Sequence, residues 1–293
     1  MPVIIDTDPG IDDAIAILYA LRNPALDVLA LTTVAGNIGL DVTTRNAGRI
    51  AALAGVRVPV HPGAAAPLGR AARPETGIHG NDGLGGVAFP EPLQPASEEG
   101  AIAAMARLLA TAPAGSVDLH CLGPLTNLAL LLRSAPQAAR RIGRVIAMGG
   151  AVEVAGNVGP KAEFNIAHDP EAAVEVLAAG LDLTLIPLDA TRQLRADAAC
   201  IAALRRGGAG PATAAADLIE AYFAATSGAE SRPLHDPCVP LLACHEALFR
   251  IETYALGVDP ATGALLPGPD RVRVAMGLEA GALHDHLRAG LEG

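Results

Sequence analysis

An acidic turn near the N-terminus constrains the fold of this chain more than any other feature. Four aspartates lie within residues 6–13, between an apolar run at 3–5 and a second apolar run at 14–21. The first run predicts a short buried strand, and the second predicts a helix. The acids therefore follow the carboxyl end of a strand, which is the edge where open α/β sheets bind their ligands.

The spacing of these acids favours a bound cation. Like charges this close repel one another unless a positive charge joins them. A hard divalent cation with oxygen ligands fits such a turn best. For Asp12 and Asp13 alone, a simpler explanation is that both favour the positive N-terminal end of a helix dipole. The two further acids, Asp6 and Asp8, make the cation the better interpretation.

Strand and helix signals alternate along most of the chain. Short β-rich or apolar runs are separated by helical patterns and lie at 28–34, 56–60, 117–122, 144–148, 183–188, 250–255 and 271–276. This alternation predicts an α/β protein with a doubly wound, mostly parallel central sheet covered on both faces. Because no linker or internal repeat interrupts the pattern, we expect a single domain over residues 1–293. Residues 62–96 are rich in Gly and Pro, which predicts a long functional loop.

Local signals predict where two of the helices begin. The break at Gly123-Pro124 is followed by Thr126 and Asn127, either of which is a suitable N-cap for a short helix. Pro170 fits the first turn of a later helix, because its missing N–H is not needed there.

Composition argues against several kinds of partner. The formal net charge is −10 and Lys161 is the only lysine, so no basic surface for nucleic acid is expected. No apolar run is long and clean enough to span a bilayer, and no signal peptide is evident, so we expect no membrane partner. The four cysteines lack paired spacing, which predicts reduced thiols in a cytoplasmic protein.

Polar residues follow several of the predicted strands, and in a parallel sheet they would converge on one edge. They are Asp8, Asp12, Asp13, Asn37, the backbone carbonyls near Leu122, Asn157, Glu163, Asn165, His235 and Asp236. The set is rich in carboxylates and amides and poor in cations, which is unsuitable for gripping phosphate. It suits a neutral polyol, so a sugar is the predicted ligand. Taken alone, Asn37 is typical of a turn, Asp236 of an N-cap and His235 of a structural histidine; the prediction depends on their convergence.

A series of short segments matches one known family in order. These segments are 6–13, 34–37, 78–85, 123–127, 148–150, 156–157, 162–165 and 235–237. Through them the chain resembles the inosine–uridine-preferring nucleoside hydrolase family, and the acidic turn combined with the late His235-Asp236-Pro237 is the most specific part. The resemblance implies a doubly wound α/β fold, bound Ca²⁺ and hydrolysis of the N-ribosidic bond of a ribonucleoside to ribose and free base. It also implies a homodimer or homotetramer.

The resemblance implies roles for individual residues. The calcium ligands would be Asp8, Asp13, Asp236 and the backbone carbonyl of Leu122, and two ribose hydroxyls and a water would complete the coordination. Asp8 would also take a proton from that water. The substrate-binding residues implied are Asp12, Asn37 and Asn165 for ribose hydroxyls, Asn157 and Glu163 for the 5′-hydroxyl, and Phe164 near the sugar. His235 is the natural donor to the leaving base, and His79 on the long loop is the second candidate.

Two features fit the family pattern less well. Members that favour pyrimidine nucleosides use tyrosines on a loop shortly before the His-Asp-Pro motif, but residues 224–234 contain no aromatic side chain, and Tyr222 and Phe223 lie on the preceding helical pattern. Stacking on the base from that loop is therefore not expected. Lys161 lies inside the loop at 157–165 and is interpreted as a solvated surface lysine, although a position in the pocket would favour an anionic substrate.

Two other functions compete with this prediction. A non-catalytic ribose or nucleoside binder on the same fold would not need both Asp8 and His235, yet both are present. A Mg²⁺-dependent phosphohydrolase is suggested by the pair Asp6 and Asp8, but such enzymes need a lysine that partners the phosphate, and no such arrangement is evident around Lys161.

Overall fold

A computed structural model describes residues 1–206, 208, 210–225 and 234–292. The strands are β1 Pro2–Thr7, β2 Asp27–Thr33, β3 Val60–Pro62, β4 Val117–Cys121, β5 Ile142–Met148, β6 Leu183–Ile186, β7 Phe249–Val258, β8 Leu265–Pro267 and β9 Asp270–Leu278. The helices are α1 Ile11–Arg22, α2 Leu40–Leu53, α3 Thr76–His79, α4 Ala101–Thr111, α5 Thr126–Ser134, α6 Pro136–Ala139, α7 Phe164–His168, α8 Pro170–Ala178, α9 Leu188–Thr191, α10 Ala198–Arg206, α11 Pro211–Ala225, α12 Cys238–His245 and α13 Ala280–Glu292. A short 3₁₀ helix, Glu246–Leu248, joins α12 to β7.

The strands form one sheet in the order β3-β2-β1-β4-β5-β6-β9-β7-β8. Neighbours from β3 to β9 run parallel, and β7 is antiparallel to both β9 and β8. The chain winds outward from β1 through β2 to β3 and then returns to place β4 on the other side of β1. This reversal opens a crevice between the carboxyl ends of β1 and β4, where doubly wound sheets bind ligands. The predicted α/β class with a doubly wound, mostly parallel sheet is confirmed.

Each face of the sheet has its own hydrophobic core. One core packs α1, α2 and α10–α13 on the sheet and includes Ile15, Leu218 and Leu241. The other packs α4, α5, α6 and α8 on the opposite face and includes Leu128 and Val176. Burial on both faces explains why the central strands are almost continuously apolar rather than alternating.

Several local predictions are confirmed in type but shifted in position. The third strand was expected at 56–60, whereas β3 is Val60–Pro62, because it pairs in parallel register with the end of β2. The long loop after β3 contains the short helix α3. Pro170 begins α8 as predicted, and the Asp169 side chain caps this helix by accepting from the Ala172 N–H. Within the described ranges, no helix combines the length and apolar character needed to cross a membrane.

The predicted N-cap of α5 is wrong. The helix follows Leu125 without any side-chain cap. The Thr126 hydroxyl instead donates to Asp169 at 2.6 Å, and the Asn127 amide donates to Asp6 at 2.7 Å. Both side chains thus donate to buried carboxylates, which need hydrogen-bond donors because water does not reach them.

Candidate active site

A cavity of about 320 Å³ lies at the carboxyl edge of the sheet, beside the crevice between β1 and β4. Every side chain predicted to bind substrate lines it: Asp12, Asn37, His79, Asn157, Glu163, Phe164 and Asn165. Leu122, His235 and Asp236 also line it. The two remaining predicted residues, Asp8 and Asp13, are fully buried and close to its acidic wall, as their electrostatic coupling to Asp236 indicates. The fold therefore gathers the predicted residues into one site.

The turn after β1 fixes Asp13 through three donors. Its carboxylate accepts from the Thr7 hydroxyl at 2.5 Å, from the Gly10 N–H at 3.0 Å and from the Asn37 side-chain amide at 3.0 Å. Because Asp13 lies in the first turn of α1 and reaches back to Gly10, it acts partly as a helix N-terminal acid. The helix-end explanation is thus correct for the bond from Gly10. The bonds from Thr7 and Asn37 hold Asp13 in the site.

Asp8 is held much more sparsely. Its Oδ2 accepts from the Asn37 backbone N–H at 2.6 Å, and its Oδ1 has no hydrogen-bond partner among the described residues. Two glycines enclose this carboxylate: a Cβ added to Gly36 would lie 2.0 Å from Oδ2, and one added to Gly123 would lie 2.2 Å from Oδ1. Glycine is therefore required at both positions, and the enclosed Oδ1 lacks the partner that a buried carboxylate normally has.

Among the described residues, no salt bridge supplies a counter-charge to the acids around Asp8. Carboxylate oxygens of Asp12, Asp13 and Asp236 all lie within 4.8 Å of one another. Burial raises the pKa of Asp8 and of Asp236 well above the usual range, and repulsion from the neighbouring aspartates raises both further. Burial and the charge of Asp13 raise the pKa of Asp12 to about 7. A divalent cation would relieve this repulsion, and a donor set made only of oxygens fits a hard ion.

The ligand set implied by the resemblance and the tightest group of carboxylates are not identical. The resemblance assigns Asp8 and the Leu122 carbonyl to the metal and Asp12 to ribose, whereas Asp12 is a member of the close group. The Leu122 carbonyl already accepts from the Asn165 side-chain amide at 2.7 Å. A carbonyl oxygen has a second lone pair, so this bond leaves it able to bind a cation.

Glu163, Asn165 and Asn157 build the opposite wall of the cavity. Glu163 precedes α7 and accepts from the backbone N–H groups of Gly150 at 2.9 Å, Asn165 at 2.9 Å and Ile166 at 3.2 Å. Burial raises its pKa, and these backbone donors oppose that shift. The Asn157 side-chain oxygen accepts from the Phe164 N–H at 2.9 Å, which ties the loop to the start of α7. These bonds fix the orientation of the wall before any ligand arrives.

Two histidines face the cavity from different elements. His79 ends α3, and its Nδ1 accepts from the Ile11 N–H at 3.1 Å. The Nδ1 of His235 lies 2.7 Å from the Thr191 hydroxyl. Burial lowers the pKa of His79 to about 4 and, together with the charges of Arg192 and Arg195, lowers that of His235 to about 3. Both imidazoles are therefore neutral near pH 7, and each can donate one hydrogen bond.

Some lining residues were missed from sequence. Tyr222, Glu75, Ile78 and Val158 also line the cavity. Tyr222 lies on α11, as expected. Its side chain lines the cavity in addition to packing in the hydrophobic core. An aromatic residue on the apolar face of a helix is usually a core residue, so the sequence held no distinct signal for this position. Residues 226–233, where an aromatic side chain was judged absent, lie outside the described residues.

Lys161 and Asp6 do not support the phosphohydrolase alternative. Lys161 is exposed and does not line this cavity, which agrees with its interpretation as a surface lysine. With Arg70 and Arg73 it lines an adjoining cavity of about 650 Å³, which shares Glu75, Val158 and Phe164 with the first. Asp6 is buried and accepts from the Thr32 hydroxyl at 2.6 Å and from the Asn127 amide at 2.7 Å. An aspartate held in this way is not exposed to a phosphoryl group.

Comparisons with known proteins agree with this site. The family model for inosine-uridine preferring nucleoside hydrolase matches residues 3–285. A non-specific ribonucleoside hydrolase, RihC, from Escherichia coli is 44% identical over 193 residues, which span 66% of this chain and 63% of that protein. A pyrimidine-specific ribonucleoside hydrolase, RihA, from Citrobacter koseri is 39% identical over 264 residues, which span 88% of this chain and 84% of that protein.

A solved structure extends the likeness to three dimensions. The purine-preferring ribonucleoside hydrolase from Gardnerella vaginalis superposes with a TM-score of 0.93 at 27% identity, covering 100% of this chain and 98% of that one. The fold, the acidic site and the family match agree with one another. The chain belongs to the inosine-uridine preferring nucleoside hydrolase family, a family of N-glycosidases.

Proposed function

We propose that this protein uses a bound calcium ion to hydrolyse the N-ribosidic bond of ribonucleosides, releasing ribose and a free base. One observation carries the proposal: the sugar-sized cavity has a wall of buried carboxylates that lack a counter-charge, and opposite them stand neutral amides and imidazoles. A carboxylate-rich wall suits a reaction in which positive charge develops on the sugar ring.

Asp8, Asp13, Asp236 and the Leu122 carbonyl would hold the calcium ion. The unpartnered Oδ1 of Asp8 supports this assignment, because a cation would supply the missing interaction. When bound, the ion would anchor the ribose hydroxyls and lower the pKa of a coordinated water. Calcium is proposed over magnesium because several carboxylates and a backbone carbonyl are the ligands that protein Ca²⁺ sites use, whereas Mg²⁺ usually keeps most of its waters.

Asp8 would act as the general base. It accepts the proton of the attacking water as the water oxygen bonds to the anomeric carbon, and the C–N bond breaks with its electron pair moving to the base nitrogen. The nearby carboxylates, Asp12 and Asp236, would stabilise the positive charge that develops on the ring. The base takes up one proton after departure, so that one water is consumed overall.

The amide and carboxylate side chains would orient the sugar. Asp12, Asn37 and Asn165 are proposed to bind ribose hydroxyls, and Asn157 and Glu163 to bind the 5′-hydroxyl. The position of Asn37 supports its part, because its side-chain amide donates to the Asp8 backbone carbonyl and to the Asp13 carboxylate and is therefore already oriented. Phe164 would cover the sugar from the side of α7.

The base would lie against His235, His79, Ile78 and Tyr222. A departing purine or pyrimidine anion needs a hydrogen bond or a proton. His235 is the proposed main donor and His79 the second. The named relatives differ in base preference, being non-specific, pyrimidine-specific and purine-preferring. The proposal therefore covers ribonucleosides as a class.

We also propose a cytoplasmic, single-domain protein that assembles as a homodimer or homotetramer. All four cysteines lie in described ranges and none forms a disulfide, which supports a reducing compartment. Light scattering of the purified protein would measure the assembly directly.

A product assay tests the function. The protein with Ca²⁺ is incubated separately with inosine, adenosine, guanosine, uridine and cytidine, with and without a chelator, and products are separated by reverse-phase chromatography. Release of free base that the chelator stops is the expected result. Saturable nucleoside binding without any release would instead identify a non-catalytic nucleoside-binding protein.

A further inference from the structure

We propose that Thr191 is a positioning residue that sets the tautomer of His235, so that the Nε2–H of the imidazole points at the leaving base. The inference rests on the proposed function, because it concerns how His235 assists departure of the base. Thr191 ends α9, which follows β6, and it is not among the described residues that line the cavity. Its effect would therefore act through His235 alone.

The hydrogen bond between these side chains has one direction that satisfies both. Thr191 is fully buried, and among the described residues its hydroxyl bonds only to the His235 Nδ1, at 2.7 Å. If the hydroxyl accepted from an Nδ1–H, its own proton would have no acceptor among the described residues. If the hydroxyl donates, every group in the pair is satisfied. Nδ1 therefore carries the lone pair, and the proton of the neutral ring is on Nε2.

The backbone around His235 holds the ring in place for this contact. The Leu234 N–H donates to the Leu194 carbonyl at 2.8 Å, which ties the approach to His235 to the segment after α9. On the other side, the His235 carbonyl accepts from the Cys238 N–H at 3.1 Å. His235 lines the cavity, and its Nε2 makes no hydrogen bond within the described part of the chain. The free N–H is thus available to a ligand.

This arrangement gives His235 a defined task. As the C–N bond breaks, the electron pair moves to the base, and the Nε2–H donates a hydrogen bond to the base atom on which negative charge accumulates. The ring does not have to give up its proton, because the base takes one from solvent on release. With the other tautomer, Nε2 would present a lone pair to the developing anion and would oppose departure. Neutral histidines that act as hydrogen-bond donors are known in other enzymes.

Two substitutions test the role of the hydroxyl. Thr191→Val replaces it with a methyl group of similar volume, and Thr191→Ser keeps the hydroxyl as the matched control. Each variant is assayed on a ribonucleoside that the wild-type protein hydrolyses and on 4-nitrophenyl β-D-ribofuranoside. The nitrophenolate is a stable anion, so its departure needs little help from a donor.

The expected result is a split between the two substrates. Thr191→Val should lower kcat on the nucleoside by on the order of 10-fold or more, a part of the range for acid assistance, with KM nearly unchanged. Its kcat on the nitrophenyl riboside should stay close to wild type. Thr191→Ser should restore most of the nucleoside activity. Thermal unfolding of each variant checks that the fold is intact.

An independent readout follows the tautomer itself. In protein labelled with ¹⁵N-histidine, the His235 signals, identified by their loss in His235→Gln, should show a protonated Nε2 and an unprotonated Nδ1. Thr191→Val should mix or reverse these signals, and Thr191→Ser should keep them. A wild-type ring protonated on Nδ1 would overturn the inference, as would equal loss on both substrates or no loss at all in Thr191→Val. If the wild-type protein cleaves neither substrate, the proposed function fails, whereas the NMR result still reports on the Thr191–His235 pair.

Discussion

Two groups of carboxylates lie near the carboxyl end of β1, and they differ in the side chains that surround them. Asp6 stands alone and accepts hydrogen bonds from Thr32 and Asn127, which link β1 to β2 and α5. The second group is the acid cluster, defined as Asp8, Asp12, Asp13 and Asp236. Its members repel one another, and the Asp8 Oδ1 lacks a donor within the described residues.

The comparison separates burial from function. Burial alone raises the pKa of Asp6 to about 7, and its two side-chain donors oppose that shift. In the acid cluster, the charges of neighbouring aspartates add to the effect of burial and raise the pKa values of Asp8, Asp12 and Asp236. A proton or neutral donors are enough for Asp6, but the cluster needs a cation. A missing donor does not separate the two groups, because both donors to Asp6 reach its Oδ1 and its Oδ2 also lacks a hydrogen-bond partner among the described residues. Like-charged neighbours therefore mark the functional acids, whereas depth in the core does not.

The largest expected effect comes from replacing one acid of each group. Asp8→Asn should lower kcat by more than about 10²-fold, because the variant has lost the group that accepts the water's proton. Asp6→Asn should leave kcat within a small factor of wild type, because Asp6 does not reach the cavity. Steady-state kinetics on the best nucleoside measures both. Near-normal turnover in Asp8→Asn would remove it from the base role.

Removing the cation should affect stability through the acid cluster alone. A ligand present at 100 times its dissociation constant adds about 2.7 kcal/mol to the free energy of unfolding. Calcium at that excess should therefore raise the melting temperature of the wild-type protein. Asp236→Asn should lose most of this shift and Asp6→Asn should keep it. Equal calcium shifts in both variants would contradict a metal site at the cluster, and a larger shift with magnesium would correct the identity of the ion.

The fold and the convergence of the polar residues could be predicted from sequence, but the hydrogen-bond partners of the individual acids could not. The alternation of apolar runs with helical patterns indicated the doubly wound sheet, because strands buried on both faces are continuously apolar. The parallel topology then brings Asn37, Asn165 and Asp236 together from distant parts of the chain. Spacing alone does not separate Asp6 from Asp8, although the converging set and the family resemblance included Asp8 and left out Asp6.

The separation depends on partners that sequence patterns do not specify. Asn127 looked like a helix cap, yet it donates to Asp6 from 121 positions away. Thr191 carries no local signal, since its importance depends on where the chain places His235 44 positions later. Contacts between side chains far apart in sequence follow from three-dimensional packing, and local propensity holds no information about them.

A substitution at Gly36 should disturb the acid cluster less than the replacement of one of its acids. In Gly36→Ala the new Cβ would lie 2.0 Å from the Asp8 Oδ2, so the carboxylate must move. We expect kcat to fall on the order of 10-fold, which corresponds to about 1.4 kcal/mol. Gly39→Ala is the matched control, because a Cβ there has no neighbour within 4 Å. Equal activity of the two variants would show that the position of Asp8 tolerates such a shift.

The smallest expected effect is the pH dependence that Asp6 contributes to stability. Burial raises the pKa of Asp6 from its ordinary value of 3.8 to about 7 in the folded protein. Between about pH 4 and 7 the folded state therefore holds a proton that the unfolded chain has released. The contribution of protonated Asp6 is complete below about pH 4 and is lost as pH rises through 7, at no more than about 1.4 kcal/mol per pH unit. Urea unfolding of wild type and Asp6→Asn in saturating calcium measures this slope as the difference between the two proteins, because buried histidines such as His79 and His235 also titrate in this range. Because asparagine cannot ionise, Asp6→Asn should flatten the slope, and an unchanged slope would assign it to other groups.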